Sequence, residues 1–517
     1  MPHARSRESV YRRQRRDAGG RHRQLHADDS RAGFAPERYP AGGVVKRPPG
    51  RWRAALAATV LAAPLLAGAQ DAAPSAAAAQ VSRGRYLATA ADCIACHTVD
   101  ARKPFAGGYP IATPLGTIYG PNLTPDRETG IGAWSDEQFV RALHEGVGKN
   151  GEHLYPAFPY TAFTKLSRDD VLAIKAYLFS LPAIKQRAPD NQLSFPFNQR
   201  WLLAGWKLLN FTPGPLTGAD AGKSAEWKRG AYLAEGLAHC QECHTPRTLT
   251  MGLNKKLAYG GSSLAGWTAF NISADPLSGI GGWSDAELAT YLHGGSVAGK
   301  ASAAGPMAEA IDNSLRHLRP DDMAALVTYL RGVAPIHEAV DAKPRYAFGA
   351  PASDDASLRG AAGVGVSAVA SGVAELFSGN CASCHSAAGA GSGDAYYPSL
   401  LHNSTVGAND PGNLVMVILR GVKREGDAGA VFMPGFGEHL SDAQIADLSN
   451  YLLRQFGDGS AVVTEKFVAQ QRRGGPASAL PRLMMGGAAL GLFGVLALLS
   501  WWYKRRKKTG QTPLVEV

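Results

Sequence analysis

All six cysteines fall into three pentapeptides: Cys93-Ile94-Ala95-Cys96-His97, Cys240-Gln241-Glu242-Cys243-His244 and Cys381-Ala382-Ser383-Cys384-His385. Each reads C-x-x-C-H, the spacing at which two thiols can close thioether bonds to the vinyl groups of one porphyrin. The adjacent histidine then sits beneath the ring and offers an imidazole nitrogen to the iron. A zinc site or a redox dithiol is the competing reading of paired cysteines. Three identical motifs, each closed by His and about 140 residues apart, argue against it. No thiol is left over for a structural disulfide. The expectation is three covalent c-type haems. They would be attached through Cys93, Cys96, Cys240, Cys243, Cys381 and Cys384, with His97, His244 and His385 as proximal ligands.

An electron-transfer haem usually takes a second axial ligand, and Met is common and raises the potential. Met307, in Gly305-Pro306-Met307, lies 63 residues past His244; Met433, in Met433-Pro434-Gly435-Phe436, lies 48 past His385. Both precede the last helical pattern of their unit, where a loop would cross the far face of a haem. Met323 and Met416 fall within helical patterns and read as core. The first unit has no Met between residues 98 and 250, and Phe158 stands 61 residues past His97. Phe has no lone pair to give. The first haem is therefore expected to be five-coordinate or to use another donor, with His153 the leading candidate. His144 is a weaker one, because His293 occupies its position in the unit that already has Met307. Lys149, Tyr160 and, from outside the unit, Met251 are the other donors within sequence reach.

The elements that must position these groups repeat. Arg83-Gly84-Arg85-Tyr86-Leu87-Ala88 precedes the first motif and Arg229-Gly230-Ala231-Tyr232-Leu233-Ala234 the second, each reading as a helix leading into the attachment loop. Gly130-Ile131-Gly132-Ala133-Trp134-Ser135-Asp136 matches Gly279-Ile280-Gly281-Gly282-Trp283-Ser284-Asp285. In both, Ser caps a helix with Glu137 or Glu287 in its first turn. Closing helices are expected over 166–181, 318–330 and 440–453, each holding a Tyr-Leu pair.

These repeats divide the chain into units at 80–186, 226–345 and 371–459. The segment 187–225, with Phe195, Trp201, Trp206 and Phe211, is too aromatic for a free tether and is expected to pack across two units or on a partner. Residues 346–370 are rich in Gly, Ala and Ser and read as a flexible linker, which would let the third unit move. Residues 1–69 read as an N-terminal extension and signal peptide: a basic stretch, an apolar run over 54–66, and Ala67-Gly68-Ala69 as the cleavage site. The Arg-rich first 43 residues make a long basic region, so initiation is expected near Val44 or Val45. At the other end, 483–503 is uncharged and ends in Trp501-Trp502-Tyr503. It reads as a transmembrane helix followed by a basic cytoplasmic tail, 504–517.

Charge follows the same division. The formal net charge is +11, yet residues 1–69 hold 14 Lys and Arg against 5 Asp and Glu. With the five cations at 504–508 also set aside, the rest is slightly acidic, so the basic balance belongs to targeting and topology and not to nucleic acid. No dinucleotide fingerprint, recognisable pterin site or nucleophile triad is legible, and no substrate site.

Taken together, the motifs resemble the tri-haem, membrane-anchored cytochrome c subunits of periplasmic dehydrogenases. The likeness runs from about Arg83 to Phe456 and includes Phe195-Pro196-Phe197-Asn198. It implies an all-α fold of three tandem cytochrome c domains with a C-terminal transmembrane helix, on the periplasmic face of the cytoplasmic membrane. It also implies Met307 and Met433 as distal ligands. The family's first distal Met lies in a Y-P-A-M-P-Y stretch, where this sequence has Tyr155-Pro156-Ala157-Phe158-Pro159-Tyr160. The implied role is electron relay from a quinoprotein, flavoprotein or molybdenum-type catalytic subunit, oxidising an alcohol, aldehyde or sugar acid, to ubiquinone or a terminal oxidase. The rival reading is a peroxidase-like haem enzyme acting at an open first haem. A cytochrome subunit of a terminal oxidase is a third, disfavoured by the haem count and the C-terminal anchor.

Overall fold

The glycine of each Arg-Gly-x-Tyr-Leu-Ala repeat lies where two helices cross. In the computed structural model, Gly84 of the helix Ala76–Ala90 lies so close to the helix Arg168–Phe179 that a Cβ would strike the Ala173 carbonyl. Gly230 of the helix Ala225–Ala231 meets the Ala325 carbonyl of the helix Pro320–Arg331 in the same way. Only glycine permits this backbone approach. The third unit dispenses with the glycine: Phe377, in the helix Ala368–Asn380, packs at 5.5 Å on Tyr451 of the helix Asp442–Phe456.

The residues described are 75–216, 222–351, 368–426, 429–476 and 480–509. The expected signal peptide and residues 352–367 of the expected linker lie outside them.

Ser135 and Ser284 fold as expected, and Ser441 does the same in the third unit. Ser135, Ser284 and Ser441 each cap a helix in a full capping box, and the reciprocal partners are Gln138, Glu287 and Gln444. Units one and two share one apolar core, running from Leu87 and Phe139 through Leu233 to Leu326. The third unit has its own core around Phe377, Leu448 and Phe456. Met323 and Met416 are buried helical core residues.

Two parts of the fold expectation are corrected. The fold is not all-α: nine short strands form four antiparallel sheets among the described residues. Two hairpins, 110–119 and 262–269, come from the chain after the first two attachment motifs. Glycines at positive φ, such as Gly116 (131°) and Gly266 (87°), make their reversals. The transmembrane span is also overturned. Leu480–Thr509 is a helix of 30 residues, but among the described residues no helix is long and apolar enough to cross a membrane. Arg482 and the cations at 504–508 bound its uncharged stretch.

Against the expectation of a mobile third unit, that unit is docked on the second. Arg424, buried, donates to the Gly294 carbonyl at 2.6 Å, and Asn409 donates to Asp341 at 2.7 Å. The aromatic segment packs across the first two units. Gln192–Leu193 pairs with Gly116–Thr117, Phe211 packs on Tyr160 at 5.2 Å, and Trp206 donates to the Thr250 carbonyl at 2.7 Å.

Candidate functional site

Each C-x-x-C-H motif forms a short helical turn: Cys93–His97, Gln241–His244 with Cys240 as its N-cap, and Ala382–His385 with Cys381 as its N-cap. The three histidines are held identically. A glycine in the left-handed region turns the chain back and donates its N–H to the histidine carbonyl: Gly107 to His97 at 2.8 Å, Gly261 to His244 at 2.9 Å and Gly391 to His385 at 2.9 Å. Further along, a carbonyl accepts from each ring Nδ1: Pro121 from His97 at 2.8 Å, Phe270 from His244 at 2.7 Å and Pro398 from His385 at 2.8 Å.

That contact fixes the chemistry. A carbonyl can only accept, so Nδ1 carries the proton and Nε2 keeps its lone pair. Burial lowers the pKa of all three rings, with the carbonyl bond opposing it in part, so they stay neutral. A neutral imidazole whose Nδ1 is anchored is the form an iron ligand needs.

The thiols fit thioether attachment better than zinc. All six are free of disulfides. Burial pushes Cys93 and Cys240 up to about 12 and Cys96 and Cys381 up to about 11, so they stand as protonated thiols. No cluster of three or more His, Cys, Asp or Glu converges as a metal site among the described residues. The residues therefore fit a covalent haem at each motif.

The distal candidates are placed as follows. Met307 lies in the first turn of the helix Gly305–Asn313, partly buried against the shared core. Met433 ends the strand Gly429–Met433, opposite Val422. Phe158 is wedged among aromatics, 5.6 Å from Phe163 and 6.5 Å from Tyr160. His153 pairs with Val147, and its Nδ1 is 3.1 Å from Lys207 Nζ. Lys207 also donates to the carbonyls of Glu145 and Gly146, at 2.6 and 2.8 Å. An ammonium can only donate, so the His153 Nδ1 lone pair is taken and its proton sits on Nε2. Tyr160 is fully buried with an unpartnered hydroxyl; burial, and then the Glu242 charge, push its pKa up and keep it a phenol.

The sites are knit together. Phe163 packs on His239, next to Cys240, at 5.8 Å, and Thr161 donates to Glu242, inside the second motif, at 2.6 Å. The helix bearing Met307 packs against the turn Cys93–His97 and also against the strand Val422–Gly426, whose partner strand ends in Met433. One helix thus touches elements of all three sites.

A reciprocal clasp, which the sequence reading did not reach, fixes the first two units. Tyr86 of unit one donates to Asp322 of unit two at 2.5 Å, and Tyr232 of unit two donates to Asp170 of unit one at 2.6 Å. Each aspartate also pairs with the repeat arginine of its own unit: Asp322 with Arg229 at 2.7 Å and Asp170 with Arg83 at 2.5 Å. The available signal was the doubled Asp169-Asp170 and Asp321-Asp322 alongside the doubled Arg-Gly-x-Tyr.

The cytochrome c family profile matches residues 81–182 and 370–455. The chain is 41% identical to the fructose dehydrogenase cytochrome subunit of Gluconobacter japonicus over 86% of its own length and 96% of that protein. It is 36% identical to the gluconate 2-dehydrogenase cytochrome c subunit of Pantoea cypripedii, over 76% of this chain and 90% of the relative. It is also 36% identical to the cytochrome c subunit of the quinone alcohol dehydrogenase of Gluconobacter oxydans strain 621H, over 74% of this chain and 80% of the relative.

Proposed function

The chain belongs to the cytochrome c subunits of dehydrogenases, and from that premise we propose that it is a three-haem relay. It would carry electrons from an alcohol-, aldehyde- or sugar-acid-oxidising catalytic subunit to ubiquinone or a terminal oxidase. The observation that carries this reading is the threefold repetition of one ligand arrangement. Bound at these motifs, haem supplies a one-electron iron couple at each site. The chain's own residues do the rest. Six cysteines hold the porphyrins, and three carbonyls orient the histidines. Met307 and Met433 stand as distal thioether ligands, which favour the ferrous state.

Export supports a periplasmic setting, because c-type haem is attached outside the cytoplasmic membrane and residues 1–69 have the pattern of a signal peptide. The catalytic partner could be of quinoprotein, flavoprotein or molybdenum type. Phe158 favours a second reading, a small-ligand site at the first haem, because a phenyl ring cannot complete the iron's coordination.

Two measurements test the relay. Intact mass of the mature protein should show three haem increments, and the double change Cys381→Ala, Cys384→Ala should remove one; two or fewer in the parent protein defeats the assignment. The purified subunit should be reduced by its partner dehydrogenase with substrate and should not oxidise that substrate alone. Turnover by the isolated chain would make it an enzyme.

A further inference from the structure

The strand Trp267–Ala269 has three attachments. Just past its end, the Phe270 carbonyl takes the Nδ1 proton of His244 at 2.7 Å. At its start, the Trp267 ring packs so close to Gly305 that a Cβ there would strike it. Gly305 sits in the left-handed region, at φ 52°, and Met307 follows two residues later.

The third attachment is to the next unit. Asn413 brackets Thr268, accepting from its N–H at 2.8 Å and donating to its carbonyl at 2.9 Å. Asp410 accepts from the Thr268 hydroxyl at 2.5 Å, and Gln471 donates to the Gly266 carbonyl at 3.1 Å. Trp267 itself packs on the third unit's core. The corresponding strand of unit one, Gly116–Tyr119, is held by the chain's own segment Gln192–Leu193 instead. Among the described residues, the second site thus has the strand beside its histidine tied to another haem unit.

We propose that Trp267 is a positioning residue through which the docked third unit sets the axial geometry at the second haem site. The inference rests on His244 and Met307 being that site's two axial ligands. The reason is mechanical. A left-handed glycine has wide backbone freedom, and the indole pressed against it removes that freedom at the root of the Met307 arm. Fixing an axial ligand from the surrounding shell tunes a metal site without touching the metal.

The test uses the full three-haem protein. Trp267→Ala should lower the midpoint potential of one haem and remove about half of the thioether-to-ferric-iron charge-transfer absorption, since one of two Met-ligated sites is affected. Trp267→Phe should restore most of both. Asn413→Ala, which loosens the strand from the third unit, should shift the same potential in the same direction by less. Unchanged potentials and absorption in a three-haem Trp267→Ala protein overturn the proposal. If that variant fails to load haem, Asn413→Ala decides, and an unchanged potential there overturns it. Met307→Ala separates this from the ligand assignment: if it leaves the charge-transfer band whole, the assignment itself fails.

Discussion

Replacing Asp322 with alanine should destabilise the protein by on the order of 3 kcal/mol, because it removes a buried charge that three side chains share. The Asp322 side chain is 5% exposed. It accepts from Arg229 at 2.7 and 2.8 Å, from Tyr86 at 2.5 Å and from Arg319 at 3.2 Å. Removing it strands the partly buried Arg229 and frees the Tyr86 hydroxyl, opening one half of the clasp between the first two units. Tyr86→Phe deletes one charge-assisted bond and should cost about 1.5 kcal/mol. Urea unfolding of the holoprotein reads both, and an Asp322→Ala midpoint equal to the parent's would dismiss the clasp as decoration.

The pH dependence has a definite sign. Burial pushes the Asp322 carboxyl up, but hydrogen bonds from Arg229, Tyr86 and Arg319 outweigh it and hold the group well below the usual carboxylate range. A depressed folded-state pKa gives stability that is complete above the unfolded value and lost as pH falls toward the folded one. Between about pH 5 and pH 8 the clasp should therefore not weaken, and its loss should appear only in strong acid.

Phe158→Met should produce the largest spectroscopic change of any single substitution. The parent should have two Met-type haems and a first haem that binds carbon monoxide when reduced. The variant should have three Met-type haems, one raised midpoint potential and no carbon monoxide binding at that site. Methionine fits the space of the ring that packs on Phe163 and Tyr160, and it brings the lone pair that phenylalanine lacks. His153→Ala should leave the parent spectrum unchanged, because its Nδ1 already accepts from Lys207. Three Met-type haems in the unmutated protein would overturn the argument, and a spectral change in His153→Ala would restore that histidine as the ligand.

Much of the site was legible in the sequence because its chemistry is local. Two thiols and an imidazole within five residues define an attachment turn wherever they occur. A serine three residues before Gln or Glu defines a cap, as at Ser135, Ser284 and Ser441. The absence of a methionine near Phe158 is likewise a plain fact of composition. The C-terminal stretch was less secure: an uncharged run over 483–503 suggested a span, but among the described residues no helix is long and apolar enough to cross a membrane.

What only the tertiary structure decided are contacts between residues far apart in the chain. Tyr86 and Asp322 are 236 positions apart, and Thr268 and Asn413 are 145 apart. No spacing rule reaches that far, because such pairs are chosen by how whole helices and hairpins pack and not by the backbone between them. The repeated Arg-Gly-x-Tyr announced a helix, and folding made the arginine pair within its unit while the tyrosine crossed to the other. The linker composition suggested a loose third unit, whereas Arg424, Asn409, Asn413 and Gln471 satisfy backbone and side-chain groups of the second unit and hold the two together. Sequence thus set the three C-x-x-C-H turns, and packing set how they are fixed to one another.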